Sequence, residues 1–231
     1  MRRIEKGAEP ACLADLRSTP GADWSSVSGD QRNEMRARLF AEQHGLCAYC
    51  MSRIPHPPSK KGMKIEHFEA RANRDEKTFL WSNLLGVCLG DVGIVESASG
   101  DRGARFHCDT YRGNVPLDVH PAAFPPDVGA CFSYSLAGEI RPASTLDATM
   151  HAEVSKTITH LNLNIDRLKR NRRAVIERLR ADFTRKAPKT ARVQALLEQA
   201  SRPDGEGLLP PYAQVAVRYL AKKLRQLEGP G

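Results

Sequence analysis

The stretch LCAYC, residues 46–50, constrains the fold of this chain more than any other segment. Cys47 and Cys50 stand at the spacing with which one tight turn presents two thiolates to a tetrahedral metal such as Zn²⁺. A closed structural site needs four ligands, and no second C-x-x-C occurs in the 231 residues. The other cysteines are Cys12, Cys88, Cys108 and Cys131. Cys88 closes the apolar run FLWSNLLGVC, and Cys108 opens CDTYRGN. The Gly-rich stretch between them can loop out while its ends stay close, because loop-closure entropy grows only slowly with length. Cys88 and Cys108 can therefore serve as the second pair; two buried free thiols are the alternative. A redox C-x-x-C is disfavoured, since the flanks do not resemble a thioredoxin βαβ unit. Cys12 and Cys131 lack partners at useful spacing and read as core or surface thiols.

Composition narrows the class. A net charge of +8 suits a polyanionic partner such as nucleic acid. No run of about 18 apolar residues spans a membrane. MRRIEKGAEP has a positive start but no apolar signal core, so a cytoplasmic protein with reduced thiols is expected.

Patterning divides the chain into an N-terminal arm (1–29), a central core (30–130) and a mainly helical region (131–231). The arm should carry little regular structure, with one short helix near Ala11–Arg17. Ser28 and Gln31 stand in capping-box spacing, which predicts a helix running to Gly45 with Met35, Leu39 and Phe40 on its apolar face. MKIEHFEA reads as a short strand, residues 89–106 as a loop, and CFSYSLAGEIRPA as a hairpin turning at Ala137-Gly138. Helices are expected over about 146–163, 164–186, 189–201 and 211–227. In the second of these, Ile165, Leu168, Val175, Ile176 and Leu179 share a face.

Read in order, the chain gives C-x-x-C, then Glu66-His67, then Asn83-Leu84, then Cys88, then Cys108-Asp109. That order resembles the HNH (ββα-metal) nuclease superfamily. More narrowly, GLCAYCMSRI, KIEHFEAR, NLLGVC and HCDTYRGN resemble the HNH proteins found beside ATPases in bacterial defence systems, the Septu PtuB type and its retron-associated relatives. The resemblance extends over about residues 1–180. It implies an α+β fold: a small zinc-stabilised ββα-metal core with the N-terminal arm and a helical C-terminal region.

The resemblance also implies roles. Cys47, Cys50, Cys88 and Cys108 would hold a structural Zn²⁺. His67 would be the general base, since an imidazole titrates near neutral pH. Glu66 and Asp109 would bind one catalytic Mg²⁺ or Mn²⁺, a hard cation that prefers carboxylate oxygens. His107 and Asn114 are alternatives to Asp109 as the final ligand. Asn83 would brace the loop carrying the histidine, and Arg112 can contact the scissile phosphate. Lys169, Arg170, Arg172 and Arg173, in the basic run from Arg167 to Arg192, form a candidate nucleic-acid surface. The expected activity is phosphodiester hydrolysis, with DNA favoured over RNA, by the nuclease effector of an anti-phage system working with an ABC/SMC-like (PtuA-type) ATPase. The alternatives are a tRNA-cleaving RNase of a retron system and a non-catalytic zinc-knuckle binding protein.

Overall fold

The computed structural model describes residues 1–72, 75–91, 101–123, 125, 127–185 and 187–228. Helix α1 (Ala11–Ser18) buries Cys12, Leu13 and Leu16. Helix α2 (Gly29–Glu42) starts where the capping box predicts. Gln31 N donates to Ser28 Oγ at 3.2 Å, and Ser28 N donates to Gln31 Oε1 at 2.8 Å. Its apolar face, Met35, Leu39 and Phe40, packs with Leu13, Leu16, Met63 and Leu84 in one cluster.

Strand β1 (Lys64–His67) pairs antiparallel with β2 (Leu84–Val87), with Glu66 opposite Leu85 and His67 opposite Leu84. Side chains alternate across a strand, and this ribbon uses both faces. Leu85 and Val87 enter a large cluster with Tyr49, Phe132, Val154, Ile176 and Val215. Leu84 and Ile65 join the α1–α2 cluster instead. The ribbon is thus a partition between two cores. Gln43, buried at the end of α2, ties it down: Nε2 donates to Leu46 O at 2.8 Å and Gly86 O at 2.6 Å, and Oε1 accepts from Gly86 N at 2.7 Å.

Two short helices follow, α3 (Arg102–Arg105) and α4 (Cys108–Arg112). Strands β3 (Phe132–Tyr134) and β4 (Ile140–Pro142) form the expected hairpin, with Gly138 at φ 82°. The four predicted helices are present as α5 (Ala148–His160), α6 (Asp166–Arg185), α7 (Thr190–Ser201) and α8 (Ala213–Glu228). The protein is therefore α+β, with small two-stranded sheets. No described helix is long and apolar enough to cross a membrane.

Two expectations change. The N-terminal arm is packed rather than loose: Met1, Ile4, Leu13, Leu16 and Val27 are buried. Lys6 fastens it by lying 3.7 Å over the Trp81 ring and pairing with Glu42 at 2.8 Å. Within the predicted 89–106 loop, residues 102–105 are helical because Asp101 caps Gly103 N at 2.8 Å; residues 92–100 lie outside the described residues.

The hairpin offers a test of this packing. A Cβ at Gly138 would lie 2.0 Å from the Lys169 carbonyl oxygen, in a left-handed conformation that strains any L side chain. Gly138→Ala is expected to lower stability by about 2–3 kcal/mol, read as a fall in the denaturant midpoint. An unchanged midpoint would show that the hairpin does not press on α6.

Candidate metal centre and active site

The C-x-x-C turn is built by backbone bonds: Met51 N donates to Cys47 O at 3.0 Å and Cys47 N to Ser52 O at 2.9 Å. Met51 takes φ 62°, which turns the chain back sharply. The second pair is brought together by a pinch at the neck of the insertion. His107 N donates to Gly90 O at 2.9 Å, and a bridge pairs Asp91 with Phe106. Gly90 is required there, since a Cβ would stand 2.2 Å from the His107 carbonyl oxygen. Cys108 N is fixed to Leu161 O at 2.8 Å, which anchors this half to the end of α5.

As a result, the sulfurs of Cys47, Cys50, Cys88 and Cys108 all lie within 4.8 Å of one another. Cys50 and Cys88 are 3.7 Å apart, and Cys47 and Cys108 are 4.0 Å apart. Tetrahedral zinc–thiolate bonds of about 2.3 Å require sulfur–sulfur separations of about 3.8 Å, so the cluster can hold a metal such as zinc. Burial and then the neighbouring Cys47 raise the Cys108 thiol well above its ordinary range. A divalent cation would reverse that penalty. Cys12 and Cys131 are buried in separate clusters.

His107 belongs to this centre. Its Nδ1 lies 3.2 Å from Cys108 Sγ and 4.0 Å from Cys88 Sγ, so the ring is spent against the sulfurs rather than offered as an alternative to Asp109. Asn114 is exposed beyond the end of α4.

Glu66 and His67 leave β1 on opposite faces. Glu66 is 7 % exposed and points toward the cluster side. Its Oε1 accepts from Arg112 Nη1 at 2.5 Å and from Tyr49 OH at 3.3 Å. The Asp109 carboxyl, in the first turn of α4, acts electrostatically on Glu66. Burial and then Asp109 push the Glu66 carboxyl up to about 9, against the pull of Arg112. Lys64, on the same strand face as Glu66, holds Asp109 Oδ2 at 3.0 Å. Both carboxyls are paired with cations of the protein, Glu66 with Arg112 and Asp109 with Lys64.

His67 faces the other core. Its Nε2 lies 3.0 Å from Thr78 O. A carbonyl only accepts, so Nε2 carries the proton and Nδ1 is the basic nitrogen. Burial lowers its pKa to about 4, which keeps the imidazole neutral at ordinary pH. Trp24 meets the ring edge-on at 4.5 Å between centroids. Asn83 closes the loop behind it: Oδ1 accepts from Glu69 N at 2.7 Å, and Nδ2 donates to Glu69 O and Lys77 O, each at 3.1 Å.

Two arginines are placed differently from the sequence expectation. Arg112 is 3 % exposed, with its guanidinium bonded to Glu66, Tyr49, Val115 O and Phe68 O. Its donors are consumed inside the protein and do not meet a phosphate. Arg172 is 1 % exposed, bonded to Gly138 O, Leu163 O and Asn164 Oδ1, and it stitches the hairpin to α6. Lys169 pairs with Asp166 at 2.7 Å and Arg173 with Glu177 at 2.7 Å, while Arg170 is exposed. Lys64, Tyr49, Thr78 and Trp24 were not singled out in the sequence. Lys64 was within reach of the period-2 rule, which puts it on the face of Glu66; Trp24, distant in sequence, had no such signal.

No family model matches the chain. Over 213 residues it is 27% identical to an Escherichia coli protein described as "Retron Ec83 putative HNH endonuclease", a match spanning 76% of this chain and 79% of that one. The chain is therefore related to an HNH endonuclease.

Replacing Cys88 or Cys108 by Ser should reduce bound zinc to well under one ion per chain and cost several kcal/mol of stability, measured by elemental analysis and melting. Full zinc content in both variants would show that other ligands bind it.

Proposed function

We propose that this chain is a metal-dependent HNH endonuclease, with β1, β2 and α4 as its ββα-metal unit and DNA as the favoured substrate. The observation that carries this reading is His67 with its Nε2–H held by the Thr78 carbonyl, next in the strand to the buried Glu66 carboxyl. His67 Nδ1 takes a proton from the attacking water as oxygen bonds to phosphorus, and the bond to the 3′-oxygen breaks. As the resemblance implies, the products are a 5′-phosphate and a 3′-hydroxyl. One divalent cation held by Glu66 and Asp109 would neutralise charge on the phosphate and the leaving oxygen. Arg112 orients Glu66, and Asn83 holds the loop that positions the Thr78 carbonyl.

The structural zinc at the four cysteines would keep these elements in register. In the same reading the protein works in the cytoplasm as the nuclease effector of an anti-phage system. Its ATPase partner, of the ABC/SMC-like type, would supply the nucleotide chemistry for which this chain has no P-loop motif. A second reading keeps the chemistry and changes the substrate to RNA. It is the alternative that the resemblance to retron-associated HNH proteins brings.

His67→Ala is expected to abolish cleavage of DNA and RNA panels with Mg²⁺ or Mn²⁺, with melting and zinc content unchanged; persistent cutting would remove His67 as the base. The pH dependence of cation binding has a definite sign. A Glu66 carboxyl raised to about 9 holds its proton at neutral pH, and a cation must displace it. Affinity for Mn²⁺ should therefore rise with pH toward about 9, with proton release seen by calorimetry in buffers of different ionisation enthalpy. An affinity flat with pH would contradict this ligand set.

A further inference from the structure

One concentration of positive charge stands outside the roles given so far. Arg32, Arg36, Lys60 and Lys61, with Asn33 and Ser59, line an open cavity of about 420 Å³ at the start of α2, and no carboxylate lines it. Asp30, exposed in the first turn of α2, is not among the lining residues.

The hydrogen bonds of the two arginines here go to neutral acceptors. Arg32 Nη2 donates to Trp24 O at 2.7 Å, and its Nε is buried with no partner. Arg36 donates from Nε to Met63 O at 3.3 Å and from Nη1 to Asn33 Oδ1 at 3.0 Å. Burial and then the Arg32 charge lower the Arg36 pKa, as expected of cations facing each other. Lys60 and Lys61 are exposed and form no ion pair among the described residues. Several other surface arginines do meet carboxylates, Arg38 with Glu34, Arg173 with Glu177 and Arg192 with Asp182. A cavity lined by four cations and no acid is electrostatically suited to an anion.

Its position says which anion. Trp24 connects the cavity to the candidate active site. The Arg32 guanidinium lies 5.8 Å from the Trp24 ring centroid, and the same indole meets His67 edge-on at 4.5 Å. Exposed Arg71 lies 5.9 Å from that ring and extends the positive surface. We propose that the cavity is a phosphate-binding subsite for the nucleic-acid strand flanking the scissile bond, a few nucleotides from the phosphate at His67. Naming the strand rests on the nuclease reading above. Contacts of this kind position a substrate without reading its bases, so the subsite serves DNA and RNA alike.

The test uses zinc-loaded full-length chain carrying His67→Ala, so that labelled single-stranded and duplex oligonucleotides are bound and not cut. Anisotropy titrations over a range of salt compare this parent with the same chain also carrying Lys60→Ala and Lys61→Ala, two exposed positions whose truncation leaves the cores intact. Affinity is expected to fall about ten-fold, and the slope of log K against log salt to flatten by about 1.4–1.8, the value for two lost phosphate contacts. An unchanged affinity and slope, or a parent that binds no oligonucleotide, would overturn the proposal. A variant that keeps oligonucleotide binding and loses binding to polyglutamate would also overturn it, assigning the cavity to an acidic protein. The two readings fail separately. A wild-type chain that cuts while the lysine variant keeps its slope loses only the subsite. A chain that binds through these lysines but never cuts loses only the nuclease.

Discussion

The structure depends on the convergence of four sulfur atoms. Cys47 and Cys108 are 61 residues apart and meet at 4.0 Å inside the large core. Burial and then the neighbouring Cys47 oppose ionisation of the Cys108 thiol unless a cation is present. Because no such site exists in the unfolded chain, any metal bound here would add to folding stability, on the order of 10–16 kcal/mol in small zinc peptides. The fold has need of it. β1 and β2 are four residues each, and a lone two-stranded ribbon is marginal in water.

What the cysteines hold in place is a partition. The face of the ribbon toward the cluster carries Lys64 and Glu66; the other carries Ile65 and His67. The two halves of the candidate site thus grow from neighbouring residues but into different surroundings. Glu66 sits buried against the Arg112 guanidinium, which would lose a hydrogen-bond partner if Glu66 were removed. His67 sits neutral against Trp24 and the Thr78 carbonyl. Asp109, at the start of α4, acts electrostatically on both. Burial thus acts on both groups in opposite directions, raising the Glu66 carboxyl and lowering the His67 imidazole.

Much of this was legible in the sequence, for local reasons. The α2 capping box, the Ala137-Gly138 turn and the amphipathic spacing of Ile165, Leu168 and Ile176 are short-range signals, and the structure follows each. The pairing of Cys88 with Cys108 could be proposed because an insertion loops out cheaply, but its cause, the pinch at Gly90, is a three-dimensional contact. Composition misled where charge alone was read. Arg172, read from the basic run, and Arg112, read from the resemblance, are both buried and engaged inside the protein, since a long planar donor can serve as a structural brace as readily as a phosphate contact. The N-terminal arm looked loose from its Pro and Gly content; it is held by Met1, Ile4 and the Lys6–Trp81 contact, whose partners are distant in sequence. The cations beside Trp24 were invisible for the same reason, because α2 and the loop before β1 meet only in the fold.

The central claim is that four thiolates, and no imidazole, hold one zinc ion at the hub of this molecule. Zinc K-edge absorption fine structure on the purified chain tests it directly. The account predicts a single shell of four sulfur atoms at about 2.3 Å. A shell containing nitrogen at about 2.0–2.1 Å would place His107 on the metal and contradict it.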